Sequence, residues 1–401
     1  MIPSLAGRPG ARTVLWLLAA AWALAFPLFS TLGPHRTWGW CAAAGYLAAA
    51  ALTARSPRAA VAAALTGAVA VPLAWLVLTG RGQSEVTVVA RSGRLLLDTG
   101  RLYVEDPAGV DAYTPYLPGM ALFGVPQALL GRAGDPRIWC AAAFFAALWG
   151  AARLSGASRL SGASRLSGAS RPAWLPVLTA SPVVALPLAV SGIDLPLAGL
   201  CCLALAAAGA GRPVLTGAAL AAACALKWTA LPAVAVAAAL LAARAGRRTA
   251  VRAVLAAAAC TALLVLPGAL LQPGEMWRQV FLFPTGRADV PTPASSPLPG
   301  RLLADLVPGG WALAAALLLL AGLAVAASLA VRPPRTAAEA ADRLALGLAL
   351  AFLLAPAGRF GYLALPVLLV VWARTTARPA RTPRIVARSR HLPVPSGRTG
   401  R

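Results

Sequence analysis

The chain has 401 residues, 59% of them hydrophobic and only 12% charged, with a mean hydropathy of +0.73. That composition excludes an ordinary water-soluble globular domain. Its 36 basic residues against 12 acidic ones give a formal net charge of +24, which raises nucleic-acid binding as a class until the positions of the charges are considered.

A membrane-crossing helix needs about 20 apolar residues, fewer where neighbouring helices shield it. On that rule the sequence predicts an all-α, polytopic membrane domain over residues 1–374 with about 12 (10–13) transmembrane helices. In chain order they fall at approximately 13–33, 38–54, 59–79, 136–152, 173–190, 194–211, 213–227, 229–244, 250–271, 309–331, 344–357 and 360–374. The first is about 21 residues long, too long for a signal-peptide core. With the N-terminus cytoplasmic, 24 of the 36 basic residues fall in cytoplasmic loops and 12 outside, whereas 10 of the 12 acidic residues fall outside. The basic excess is therefore an orientation signal, with both termini on the cytoplasmic side of the cell membrane. Nucleic acid drops out as a partner, and membrane lipids take its place.

Three features read as organisation rather than chemistry. Residues 154–171 are three copies of LSGASR, within a cytoplasmic linker at 153–172. The tail over 375–401 is rich in arginine and proline and reads as disordered and drawn to the membrane surface. Cys41, Cys140, Cys201, Cys202, Cys224 and Cys260 all lie in apolar stretches with no CxxC pair and read as small core residues.

The longest non-spanning stretch, 80–135, is placed outside and is the expected catalytic loop. Val86, Val89, Ala90, Leu95, Leu96 and Leu97 recur in a roughly helical period with Arg91, Arg94 and Asp98, which predicts an amphipathic helix along the membrane surface. Pro115 and Pro118 break the tyrosine-rich segment, and 119–131 reads as a re-entrant or interfacial helix.

An outer-leaflet enzyme needs a carboxylate at the water–lipid boundary, where partial desolvation moves a carboxyl pKa toward the working pH. Glu85, Asp98, Glu105, Asp106, Asp111, Asp135 and Asp194 are the candidates, and Glu85 and Asp194 stand out because they sit at the ends of spans. Two cations are also singled out. Lys227, the only lysine, follows the apolar run ACAL, and Arg359 lies within LLAPAGRFGYLALP. A cation near a span is costly, about 2.5–3.5 kcal/mol at a helix centre, so it either snorkels to the interface or meets an anion such as phosphate. Arg offers phosphate a bidentate fork and Lys a point charge.

The phrases SEVTVVARSGRLLLDTGRLY (84–103) and YTPYLPGMALFG (113–124) resemble the first external loop of glycosyltransferase family 87, the polyprenyl-phosphate-mannose-dependent transferases of the GT-C superfamily, and its actinobacterial branch in particular. DPRIW (135–139), SPVVALPLAVSGIDLPL (181–197), ALKWTALP (225–232), SSPLPGRLLA (295–304) and RFGYLALP (359–366) fit the same order. The resemblance implies transfer of a sugar, mannose first among them, from a polyprenyl-phosphate donor to an envelope glycolipid or glycan acceptor at the outer face. It makes Glu85 the catalytic base, at the position where the family carries Asp, on a side chain one methylene longer. It assigns Lys227 and Arg359 to the donor phosphate and Tyr103, Tyr113 and Tyr116 to the sugar or acceptor pocket; Asp194, singled out by its position at the end of a span, is a further substrate-binding candidate. No cofactor and no metal are expected, since a polyprenyl phosphate is a good leaving group and no DxD or His-rich constellation is present. Two other classes stay open: a multi-span transporter, which lacks support from a two-half repeat or an acid deep in a span, and a non-catalytic relative that binds lipid-linked sugar.

Overall fold

The computed structural model describes residues 9–157 and 174–376. The LSGASR copies from residue 158 and the tail from residue 377 lie outside the described residues. The longer helices are α1 (Pro9–Phe29), α2 (Gly33–Leu52), α3 (Pro57–Leu78, with a π turn at Thr66–Ala70), α4 (Ser84–Thr99), α5 (Pro136–Ala157), α6 (Pro182–Val190) and α7 (Leu195–Gly209). They continue as α8 (Pro213–Leu226), α9 (Leu231–Ala245), α10 (Arg247–Leu271), α11 (Pro299–Leu306), α12 (Gly310–Val331), α13 (Ala337–Leu354) and α14 (Ala364–Thr376). Among the described residues there is no strand, only a parallel bridge between Ser295 and Gly358.

Local chemistry accounts for the helix starts. Proline stands in the first turn of α2, α3, α6, α7, α8, α9 and α11, where its missing N–H costs nothing and its fixed φ suits a helix. Ser56 and Thr336 add side-chain caps, accepting from the backbone N–H of Ala59 and Glu339. Inside α3, Pro72 has no N–H for the Ala68 carbonyl four residues back, and the Trp38 indole of α2 donates to that carbonyl instead at 2.8 Å.

Six helices are long and apolar enough to cross a membrane: Gly10–Phe29, Pro57–Leu78, Pro136–Ser155, Trp228–Ala245, Arg247–Leu271 and Gly310–Val331. They coincide with half of the twelve expected segments. The other six also form helices but miss the criterion for physical reasons. The segment at 173–190 is broken at Ser181–Pro182, α7 and α8 have only 15 and 14 residues, and α13 carries Glu339, Asp342 and Arg343. A 15-residue helix rises about 22 Å, short of the ~30 Å hydrocarbon thickness.

The short helices are the central ones. Twelve of the fifteen α7 residues are buried, packed among Phe144 and Leu148 of α5, Leu220 of α8, Leu240 and Leu241 of α9, Leu344 of α13 and Trp372 of α14. The long helices stand outside and expose leucines, among them Leu263 and Leu270 of α10 and Leu319 and Leu320 of α12. A second core joins α1, α2 and α3 to α6 through Trp38, Tyr46, Leu76 and Ala185.

Helix α4 forms where the apolar period predicts it, but its buried face is Val86, Val88, Val89, Ser92 and Gly93, while Leu97 is exposed. Gly93 is required for that packing, because a Cβ there would stand 2.2 Å from the carbonyl carbon of Gly124. The expected single helix over 119–131 is instead a 3₁₀ turn at Pro118–Phe123 followed by a helical turn at Val125–Leu130. Gly124 stands between them, and Pro126 occupies the first turn of the second.

Candidate active site

Three helix ends and three loops converge at one end of the bundle. The Gln83 N–H, just before α4, donates to the Val190 carbonyl at the end of α6, and the Leu117 N–H donates to the Leu226 carbonyl at the end of α8. The loop after α13 pairs with the proline-rich loop before α11: Gly358 N–H donates to Ala294, Ser296 N–H donates to Gly358, and Phe360 N–H donates to the Ser296 hydroxyl. These contacts bring together residues that lie far apart in the chain.

Glu85 occupies the first turn of α4. Its Oε1 accepts a hydrogen bond from Arg359 Nη1, forming an ion pair across the bundle, with side chains 19% and 28% exposed. Arg359 has extended backbone and also donates through Nε to the Pro293 carbonyl at 3.3 Å. The second oxygen of Glu85, Oε2, is buried without a hydrogen-bond partner. One oxygen is thus restrained by a cation while the other is an unused acceptor. His35, in the first turn of α2, lies within electrostatic reach of both Glu85 and Arg359. Its Nε2 stands 3.5 Å from Gln83 Nε2.

Lys227 sits where α8 ends and the chain turns extended before the 3₁₀ turn at Trp228–Ala230. Its ammonium donates to Asp194 Oδ1 at 2.5 Å and lies over the rings of Tyr116 and Tyr362, 5.1 and 5.7 Å from their centroids. Asp194 precedes α7 without capping it, which leaves its carboxylate for the lysine. Asp194 balances the charge of the buried ammonium, with Tyr362 and Glu85 within electrostatic reach. Burial, reinforced by the negative charges of Glu85 and Asp194, pushes the Tyr116 phenol well above its ordinary value. Tyr116 is therefore a neutral hydroxyl between two ion pairs.

A third pair lies behind these two. Arg137 is 1% exposed. It makes a fork with Asp135, through Nε to Oδ1 at 2.9 Å and Nη2 to Oδ2 at 2.7 Å. Its remaining Nη1 donates to the Ala189 carbonyl at 3.1 Å. The turn carrying Asp194 closes over it: Gly192 has φ of +70°, and a Cβ there would stand 3.2 Å from Arg137 Cα. Glycine satisfies both the left-handed backbone and the close approach.

Of the residues singled out in the sequence, Glu85, Arg359, Lys227, Asp194 and Tyr116 therefore form one cluster. Tyr103 and Tyr113 do not face its charges. The Tyr103 hydroxyl donates to the Tyr116 carbonyl at 3.0 Å, and Tyr113 stacks on Phe283 with centroids 4.3 Å apart. They shape the loop that delivers Tyr116, together with Gln272, whose Oε1 accepts from the N–H groups of Leu102 and Tyr103 at 2.9 and 3.1 Å. Among the other carboxylates, Glu105 pairs with Arg101, Asp106 with Arg278 and Asp135 with Arg137.

Sequence reasoning missed His35, Gln83, Tyr362 and Arg137. Tyr362 and Arg137 lie within quoted motifs, RFGYLALP and DPRIW, and the signal was there to be used. His35 and Gln83 carry no local signal beyond being polar at a helix start. Among the described residues, no group of three or more His, Cys, Asp or Glu side chains could hold a metal ion.

The family model that matches the chain is that of glycosyltransferase family 87, over residues 113–356. The match spans Tyr116, Asp194 and Lys227; Arg359 lies 3 residues past its end and Glu85 lies 28 residues before its start. No curated protein matches the chain.

Proposed function

The chain belongs to glycosyltransferase family 87 and is a membrane glycosyltransferase; from that premise we propose that it moves a sugar, mannose first among candidates, from a polyprenyl-phosphate donor to an envelope glycolipid or glycan. The reaction takes place at the outer face of the cell membrane, with both termini cytoplasmic and the twelve apolar segments acting as twelve crossings. The short central helices α7 and α8 fit that count, since helices walled by protein need no lipid-facing length.

The observation that carries this reading is the Glu85–Arg359 pair with its unused carboxylate oxygen, next to Lys227. A donor phosphate competes with Glu85 for the Arg359 guanidinium and takes a second charge from Lys227. Glu85 is then free to accept the proton of an acceptor hydroxyl. The acceptor oxygen forms its bond to the anomeric carbon as the bond from that carbon to the phosphate oxygen breaks. The proton stays on Glu85, and the electron pair leaves with the lipid phosphate, whose charge Lys227 and Arg359 stabilise. Asp194 holds Lys227 in place, and Tyr116 and Tyr362 wall the sugar side of the ammonium. Tyr103 and Tyr113 support that wall from behind. The step asks for no metal or other cofactor, because a phosphate so bound is a good leaving group.

Membranes containing the protein are expected to transfer label from a radiolabelled polyprenyl-phosphate sugar and not from a nucleotide sugar. Transfer from the nucleotide sugar alone, or from neither, would overturn the donor assignment. A cysteine placed at position 85 should react with an impermeant thiol reagent from outside intact cells; labelling only after permeabilisation would reverse the orientation.

A further inference from the structure

The end of the bundle opposite the candidate active site carries a cleft of ≈ 540 Å³ between α12 and α13, lined by Arg332, Pro333, Pro334, Arg335, Glu339, Asp342 and Arg343 with Val331 and Leu346 at its edge. Its charges are arranged unequally. Both acids are already engaged: Glu339 Oε2 accepts from the Arg335 backbone N–H at 2.9 Å, and Asp342 Oδ2 accepts from Arg374 at 2.7 Å. Arg343 donates to the Ser328 hydroxyl at 2.5 Å. The guanidinium groups of Arg332 and Arg335 are exposed and make no hydrogen bond or ion pair among the described residues. The intervening Pro333–Pro334 restricts the backbone between them, so two free forks are held on one short turn.

The edge of the cleft is apolar and open. Val331 is 78% and Leu346 54% exposed, and the exposed face of α12 continues from there through Leu323, Leu320 and Leu319. Unpaired guanidiniums at the end of an apolar, outward-facing helix match an amphiphile with an anionic head and hydrocarbon tails. We infer that this cleft binds an anionic phospholipid, its phosphodiester held by Arg332 and Arg335 and its acyl chains lying along Val331, Leu346 and the exposed face of α12. Basic pockets between helix ends are the usual form of such sites. The inference rests on the membrane reading of the apolar helices and is independent of the transfer reaction. A lipid here would tie α12 to α13, and the other end of α13 leads into the loop that carries Arg359.

The test is native mass spectrometry of the full chain in detergent, titrated with phosphatidylglycerol or phosphatidylcholine. Phosphatidylglycerol should bind selectively. The R332A/R335A variant should weaken it about 30-fold, from two headgroup charges, and leave phosphatidylcholine adducts unchanged. R332K/R335K should retain most of the selectivity, and R55A/R58A, which removes two arginines elsewhere at the same end, should retain all of it. Equal binding of the two lipids by the unmodified chain, or undiminished phosphatidylglycerol selectivity in R332A/R335A, would overturn the inference. Displacement of the lipid by millimolar inorganic phosphate would assign the cleft to a free anion and overturn it as well.

Discussion

The two ends of the helix bundle use arginine differently. At one end Arg359 and Arg137 are partly or fully withdrawn from water, and each meets a carboxylate: Arg359 pairs across 274 positions with Glu85, and Arg137 makes a fork with Asp135. At the other end the pair Arg374–Asp342 is 51% and 39% exposed, and the guanidinium groups of Arg332 and Arg335 meet no carboxylate among the described residues. The sign of the charge is the same at both ends, but its meaning is set by solvent. An exposed arginine is worth little as a pair. A withdrawn one cannot lose its partner without leaving a charge stranded, so it either fixes the fold or waits for a substrate anion.

The largest expected difference between the two ends is that of Arg137→Ala. Removing one member of the buried pair should cost about 3–5 kcal/mol of stability, read as a large fall in detergent melting temperature. A melting temperature within a degree of the unmodified chain would place Arg137 with the exposed arginines. Next in size is Arg359→Ala, which should weaken donor binding by about 10- to 150-fold, the equivalent of one charge-assisted hydrogen bond to phosphate. Arg359→Lys should recover only part, because lysine lacks the fork. Equal donor KM in all three forms would remove Arg359 from the phosphate site. The smallest effect belongs to the far end, where Asp342→Asn should change stability by less than about 1 kcal/mol. A loss as large as that of Arg137→Ala would show that exposure does not govern these pairs.

The helices were readable because apolar periodicity and prolines in first turns are local. Glu85, Lys227, Asp194 and Arg359 were readable because a charge at the end of an apolar run is conspicuous. Their pairing was not. Nothing near residue 85 announces residue 359, since the contact depends on how the loops at 293–296 and 358–360 dock on each other. The roles of Tyr103 and Tyr113 were hidden for the same reason: Tyr103 is committed to a backbone carbonyl and Tyr113 to Phe283, partners set by tertiary packing. Hydropathy marks α7 and α8 as apolar, but it cannot register why they stop at 15 and 14 residues, which is that other helices surround them.

In the proposed reaction Glu85 accepts the acceptor's proton once donor phosphate has drawn Arg359 away. The direct measurement is turnover of a polyprenyl-phosphate sugar by Glu85→Gln and Glu85→Asp beside the unmodified chain, with donor affinity measured in parallel. Glu85→Gln should lower kcat by about 10²- to 10⁴-fold, the usual contribution of a general base. Its donor affinity should be equal or tighter, because Arg359 no longer has a carboxylate to hold, and Glu85→Asp should keep part of the rate. Full turnover in Glu85→Gln would contradict the account.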